Sequence, residues 1–302
     1  SLSSVKHTID TLRKYISAVR TVKAYIREFQ PDVAVGTGGY VSAPVMKAAC
    51  SMGIKTVIHE QNAFAGFVTR MLAPQVDRVL LSFPLARPLN VSEDKVCVVG
   101  NPVRREFTQI SRQQARAELG IAEHDTVILS CGGSLGARSV NDAFCSMVRQ
   151  SVKDGLMIHY HAAGREYDRV MSELYDISDN DRIRVSEYIY NMPQIMAAAD
   201  MVIARSGAGT VTELAACGRA SVLIPSPNVT DNHQYYNAKV FADKGAAILM
   251  QENDLDGKKL YDCVKDAVFD AAVICDMERA ARSLYNPRTN EDIFRIIEQL
   301  CG

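Results

Sequence analysis

The feature that most constrains this chain is a unit that recurs along it: a short apolar run, a glycine-bearing turn, then a helical stretch. Its sharpest copy is Met201-Val-Ile-Ala204, then Arg205-Ser-Gly-Ala-Gly209, then Thr210 to Cys217 closed by Gly218. An apolar run of this kind reads as a parallel strand buried on both faces. The glycine at the far end reads as a helix stop. A glycine turn entering a helix lets the backbone approach a ligand, and the first helical N–H groups carry partial positive charge. Together they suit a phosphate. Glu213, in the first turn or so of the helix, is a poor phosphate partner but a good acceptor for two neighbouring sugar hydroxyls. The stretch therefore has the chemistry for a nucleotide diphosphate with its ribose. The same residues also fit a plain strand–turn–helix corner whose glutamate merely favours the helix dipole.

The unit repeats in two runs. The first opens with a helical stripe, Ile9, Leu12, Ile16, Val19, Val22, Ile26 and Phe29, and Lys6, Arg13, Lys14, Arg20, Lys23 and Arg27 fill the remaining faces. This predicts an amphipathic helix packed on a sheet; a basic side turned to a membrane is the sharper alternative. Strands follow at 33–35, 56–58, 78–81 and 96–99, with Pro44 suited to the first turn of a helix. His59-Glu-Gln-Asn62 sits at a strand C-terminus, where open α/β sheets bind ligands. Pro102 interrupts regular structure and marks the domain boundary. The second run has strands near 126, 156, 182, 201, 222 and 247, with a second glycine loop, Gly132-Gly-Ser-Leu-Gly-Ala137, and helix throughout from about Lys258. This predicts an α/β chain of two doubly wound parallel-sheet domains facing a cleft. The first is short of strands by roughly two βα units of about 30 residues each. With no Met at its start, the chain reads as a fragment.

Charge divides the same way. Residues 1–104 hold 13 Lys+Arg against 7 Asp+Glu, a balance of +6, although the whole chain stands at −1. A basic first half suggests an anionic partner on that side, nucleic acid or an anionic membrane surface. The eight cysteines are scattered and lack a Cys-x-x-Cys pair, which predicts reduced, buried thiols in a cytoplasmic protein. Asp179-Asn-Asp181 resembles a nucleotide-sugar metal motif but lies in a polar run that reads as a turn. Asp254-Leu-Asp-Gly257 lacks the later ligands of a calcium loop. His159 and His161 share a strand face without a third ligand nearby in sequence, so a core or cleft role is expected rather than zinc.

Six motifs then occur in order: Gly38-Gly-Tyr-Val-Ser-Ala-Pro44, His59-Glu-Gln-Asn62, Gly100-Asn-Pro-Val-Arg104, Gly132 to Ala137, Arg205-Ser-Gly207 with Thr210-Val-Thr-Glu213, and Asp231-Asn-His-Gln-Tyr-Tyr-Asn-Ala238. In that order they resemble the MurG family, glycosyltransferases that add N-acetylglucosamine to the undecaprenyl-linked muramyl-peptide precursor of peptidoglycan. The resemblance implies a GT-B fold. Residues 1–103, with a final helix near 287–302, would form a partial acceptor- and membrane-side domain, and 104–286 the UDP-sugar domain. It also implies an inverting transfer without cofactor or metal, at the cytoplasmic face of the cell membrane, with UDP-N-acetylglucosamine and the lipid-linked acceptor as partners and no nucleic acid.

By motif, the resemblance places Arg104 and Ser134 in the donor pocket, Ile189 against the uracil edge, and Ala208, Gly209, Thr210, Val211 and Thr212 along the phosphate and sugar. Glu213 would take the ribose hydroxyls, Gln234 the sugar hydroxyls, and Asn62 would reach the sugar from the first domain. Two positions depart from the family pattern: His233 where a glutamine is usual, and Gly209 where leucine is commoner. The family's opening Gly-rich loop, expected to supply the general base, does not occur in this sequence, so no catalytic base is assigned. Rival expectations are a GT-B enzyme acting on diacylglycerol and a non-catalytic donor-binding subunit completed by another chain. A nicotinamide-dependent oxidoreductase fits poorly, because neither loop is Gly-x-Gly-x-x-Gly.

Overall fold

The computed structural model describes residues 2–302, with side chains from Asp10 onward; Ile9 of the predicted stripe and Lys6 of its basic faces lie outside the described side chains. The chain divides into two compact units, Ser1–Asn101 with Arg288–Gly302, and Pro102–Pro287.

The first unit runs α1 (Leu2–Phe29), β1 (Val33–Gly36), α2 (Gly39–Ser51), β2 (Lys55–Glu60), α3 (Phe67–Leu72), β3 (Arg78–Leu81) and β4 (Val96–Val98). Its four strands are all parallel, in the order β1-β2-β3-β4. The α1 stripe packs only in part. Val19, Val22 and Ile26 cluster with Ala48 and Ala49 of α2 and Ala34 of β1, whereas Leu12, Ile16 and Phe29 are exposed. The helix thus leans mainly on another helix rather than on a sheet face. Pro44 also departs from expectation. Because α2 begins at Gly39, the proline sits in the helix interior, where its missing N–H forgoes an i→i−4 bond.

The second unit runs α4 (Glu106–Gln109), α5 (Arg112–Leu119), β5 (Thr126–Cys131), α6 (Arg138–Asp154), β6 (Met157–Ala162), α7 (Tyr167–Glu173), β7 (Ile183–Ser186), α8 (Met192–Ala198) and β8 (Met201–Ala204). It continues through α9 (Ala208–Cys217), β9 (Ala220–Leu223), α10 (His233–Asp243), β10 (Ala247–Leu249), α11 (Gly257–Val268) and α12 (Ala271–Ser283). Last, α13 (Thr289–Cys301) belongs to the first unit. Its Ile293, Ile296, Ile297 and Leu300 pack on Val57, Leu80 and Val99, and Thr289 Oγ1 donates to the Val99 carbonyl at 2.9 Å.

The second sheet is parallel throughout, in the order β10-β9-β8-β5-β6-β7. Its strands are apolar on both faces because helices cover both, and β8 and β9 are buried at every residue. Strand order reverses between β8 and β5. Chain crossings leave that point in opposite directions, so a crevice opens beyond the carboxyl ends of these two strands.

Both strand histidines sit in this core. His159 Nε2 pairs with Ser151 Oγ at 2.8 Å. His161 pairs with Ser130 Oγ at 2.7 Å and Asn141 Oδ1 at 3.1 Å, and its ring stacks 3.8 Å from that of Phe144. Cysteine burial is mixed: Cys131, Cys145 and Cys217 are buried, but Cys275 and Cys301 are exposed, correcting the expectation of uniformly buried thiols. The last two sit on the outward faces of helices whose apolar stripe runs elsewhere.

Candidate functional site

Two adjoining cavities occupy the crevice. The larger, about 610 Å³, is lined by the glycine loop after β5 (Gly132, Gly133, Gly136), by Arg205, Gly207 and Thr210 after β8, and by Ser226, Gln234 and Glu252. The smaller, about 140 Å³, is lined by Arg104, Cys131, Ser134, Glu187, Ile189, Met196 and Glu213, and shares Gly133 and Thr210 with its neighbour.

The loop after β8 follows from its sequence. Arg205 is buried, and its guanidinium donates to the Ile224 and Pro225 carbonyls at 3.2 Å and to Ser139 Oγ at 2.9 Å, with Glu252 as its ion pair. This locks the C-terminal ends of β8 and β9 to the start of α6. Ser206 Oγ donates to the Gln234 carbonyl at 2.8 Å, and Asn237 Nδ2 donates to the Ser206 carbonyl at 3.0 Å, fixing α10 beside the turn. The first i→i−4 bond of α9 is Val211 N–H to Gly207 C=O, 3.0 Å. The N–H groups of Ala208, Gly209 and Thr210 precede it and point out of the helix start, as an anion requires.

Within Ala208–Thr212 the side chains divide. Thr210 lines both cavities. Val211 is fully buried in the helix packing, and the Thr212 hydroxyl donates back to the Ala208 carbonyl at 2.7 Å, so neither side chain reaches the cavity. Gly209 is exposed, with open space where a side chain would project. One turn on, Glu213 lies half-buried. Burial raises its pKa above the ordinary carboxylate value, and the Arg104 charge works against that rise. A desolvated carboxylate beside a guanidinium is a strong acceptor for hydroxyl donors.

Gln234 is more specific than its sequence suggests. Its Oε1 accepts the Ser226 N–H at 2.9 Å. What the side chain turns toward the cavity is therefore a donor amide. Ile189 is buried along the smaller cavity, and Ser134 is exposed on the glycine loop. That loop is held by close backbone approach. Gly136 (φ +77°) lies where a Cβ would meet the Ala163 carbonyl oxygen at 2.3 Å. Cys131 beneath it is no candidate nucleophile, since burial pushes its thiol up to about 11.

In the first unit, His59-Glu-Gln-Asn62 mostly builds its own loop. His59 is buried, with Nε2 against the Gly100 carbonyl at 2.9 Å and Nδ1 against Gln61 Nε2 at 3.0 Å; burial lowers its pKa. The buried Glu60 carboxylate accepts from Asn62 N–H and Nδ2, Gly66 N–H and Thr69 Oγ1. Asn62 is thus oriented by Glu60, a partner that sequence reasoning did not separate from the rest of the motif.

Comparison with known proteins meets this geometry. Residues 127–292 match the glycosyltransferase family 28 C-terminal domain, and 2–81 the family 28 N-terminal domain. A Bacillus cytotoxicus protein named UDP-N-acetylglucosamine--N-acetylmuramyl-(pentapeptide) pyrophosphoryl-undecaprenol N-acetylglucosamine transferase is 36% identical over 97% of this chain and 80% of its own length. The protein of that name from Halalkalibacterium halodurans is likewise 36% identical, with the same coverage. The crystal structure of Acinetobacter baumannii MurG superposes with a TM-score of 0.79 at 29% identity, covering 95% of this chain and 78% of that one. The chain belongs to the MurG family of glycosyltransferase family 28.

The family 28 C-terminal match spans both glycine loops, Glu213 and Gln234. A Staphylococcus aureus MnaA–UDP structure (TM-score 0.70, 12% identity) shares the fold alone. In this MurG-family chain, sequence reading missed Ser226 and Glu252. Neither carries a motif of its own; each acts by holding Gln234 or Arg205, and only a pairing across the fold reveals that. Asp179-Asn-Asp181 closes a turn, with Asn180 Oδ1 accepting the Arg182 N–H at 2.9 Å. Asp254-Leu-Asp-Gly257 leads into a helix N-cap, with Asp256 accepting from Lys258 and Lys259 N–H.

Proposed function

We propose that the protein transfers N-acetylglucosamine from UDP-N-acetylglucosamine to undecaprenyl-diphospho-N-acetylmuramoyl-pentapeptide, with inversion at the anomeric carbon. The observation that carries this reading is the pair of cavities at the β5/β8 switch point, lined by a glycine loop, a helix start, an amide and a carboxylate of the kinds a UDP-sugar needs, in a chain whose relatives bear that activity as their name. Uracil lies against Ile189, the ribose hydroxyls on Glu213, and the diphosphate on the N–H groups of Ala208 to Thr210 and on Ser134. The sugar hydroxyls accept from Gln234, and Arg104 balances charge between nucleoside and phosphate.

In the reaction the acceptor hydroxyl oxygen forms the new bond to C1. The C1–O bond to the diphosphate breaks, UDP leaves with the electron pair, and the hydroxyl proton passes to a base. The α9 start neutralises the charge that grows on the leaving diphosphate through preorganised N–H donors. His59 does not serve as the base, because its ring nitrogens face Gly100 and Gln61.

The same reading puts the enzyme peripherally at the cytoplasmic membrane face. Among the described residues no helix is long and apolar enough to cross a membrane. Tyr40, Val41 and Val45 on α2 and Phe67 and Met71 on α3 are exposed apolar side chains on two helices in contact, with Lys47 and Arg70 on the same helices in the net-positive part of the chain, as an anionic membrane surface would require. The assay supplies purified protein with labelled UDP-N-acetylglucosamine and either the lipid-linked muramyl-peptide or diacylglycerol. Label should appear only in the former; transfer to diacylglycerol alone would refute the acceptor.

A further inference from the structure

The opposite end of the second sheet, where β8 and β9 begin, carries another cavity, of about 340 Å³. The segment Phe107–Arg112, the C-terminal ends of α8 and α9, and Arg282 of α12 enclose it. Three guanidinium groups line it, those of Arg112, Arg219 and Arg282, together with the hydroxyl-bearing Thr108 and Ser111; no Asp or Glu does.

The surrounding charge does not balance. One carboxylate, Glu278, pairs with both Arg112 and Arg219, the latter at 3.1 Å. A second, Asp200, sits 2.7 Å from Arg116 and 3.9 Å from Arg112. Three guanidinium groups thus share two carboxylates, and Arg282 adds a fourth guanidinium that reaches the Cys217 backbone carbonyl rather than either carboxylate. Arg219 is 6% exposed, and the Nε–H groups of Arg219 and Arg112 are buried without acceptors. Burial, and then the charge of Arg112, hold Arg219 below the usual guanidinium value. A purely structural duty explains part of this: Arg282 donates to the Cys217 carbonyl at 2.9 Å and so ties down the end of α9. It does not explain why two further arginines gather at the same cavity with one carboxylate between them. Ser111 Oγ accepts the Gln114 N–H at 3.1 Å, which leaves its proton to donate.

We propose that this cavity binds a small phosphate-class dianion: inorganic phosphate, pyrophosphate or a phosphomonoester. Guanidinium forks arriving from three elements suit several oxygens on one centre better than a single carboxylate, and two negative charges would balance the cluster. Bound there, the anion would bridge Arg112 at the start of α5, Arg219 at the start of β9 and Arg282 on α12. The lining shares no residue with the donor cavities, so UDP can fill those without occupying this one.

The test is calorimetric titration of the whole chain with inorganic phosphate and then pyrophosphate at low ionic strength, with UDP held at saturation to occupy the donor cavity. Vesicles containing phosphatidic acid form a parallel arm. One anion site is expected in the presence of UDP, weakened about tenfold or more by Arg282→Ala with UDP affinity unchanged. Arg219→Gln should act in the same direction, and the exposed Arg282 variant keeps the test valid if the buried one fails to fold. Arg282-dependent binding confined to vesicles would put the phosphate on a lipid headgroup. Absence of Arg282-sensitive binding in every arm would overturn the proposal. Failure of UDP itself to bind would instead count against the donor reading and leave the arginine comparison readable.

Discussion

Glu213 concentrates the residue-scale argument. Its carboxylate lies half-buried one turn into α9, its pKa raised by burial, with Arg104 as the opposing charge. Ribose hydroxyls would supply the donors that burial takes away. Glu213→Ala should weaken UDP-N-acetylglucosamine binding by about tenfold while leaving thermal unfolding intact; isothermal calorimetry with unchanged affinity would contradict the assignment. His159 and His161 give a second prediction. Burial holds them at about 4 and about 3, below the ordinary value of 6.5. Below pH 6.5 the unfolded chain binds protons that the native rings refuse. Their stabilising contribution is whole above that pH and is lost as pH falls toward 4, by up to about 1.4 kcal/mol per pH unit for each ring. Denaturant unfolding followed across that range should show the slope, and His159→Gln should flatten it by one group's share; an unaltered slope would count against a neutral buried ring. At this scale the sequence disclosed residue types better than their hydrogen-bond duties. Glu213 was legible from its spacing after the glycine turn. The anchoring of the Gln234 amide oxygen was not, since it depends on the Ser226 N–H eight residues away in sequence and brought close only by the fold.

Elements were legible where an apolar run and a stop signal coincided. β8 falls at Met201–Ala204, and α9 ends at Cys217 with Gly218 left-handed behind it, as the sequence predicts. Three features escaped. The α4 turn, four residues long, is too short to show a period. The last helical stretch breaks at Asp270, which accepts the Ala272 and Val273 N–H groups as an N-cap inside what reads as continuous helix. In α2 the helix starts five residues before Pro44, because Gly38 and Gly39, both at positive φ, set its entry. The glycine loop after β5 yields the prediction at this scale. Gly136→Ala would strain a left-handed position and drive a methyl into the Ala163 carbonyl, at a cost of about 2 kcal/mol or more. Thermal unfolding and UDP affinity should fall together; a variant as stable as the parent would show that the loop has slack.

Across the whole molecule, two runs of alternating strands and helices were enough to specify two parallel sheets, since parallel pairing demands a crossover and buried strands lose their alternation. What sequence could not supply was the order of strands, and with it the crevice between β5 and β8 that makes one site from residues 131 to 234. The basic first part of the chain and the exposed apolar side chains on α2 and α3 predict a salt-sensitive membrane surface. Binding to vesicles in a sedimentation assay should rise with anionic lipid, fall with salt, and drop for the double variant Tyr40→Ser, Phe67→Ser; equal binding to neutral vesicles at every salt concentration would refute it. The central claim concerns the donor, and a crystal of the protein soaked with UDP tests it most directly. Density should place the ribose hydroxyls within hydrogen-bond distance of Glu213 and the diphosphate against the N–H groups that open α9. Nucleotide density elsewhere, or none at saturating UDP, would contradict the account.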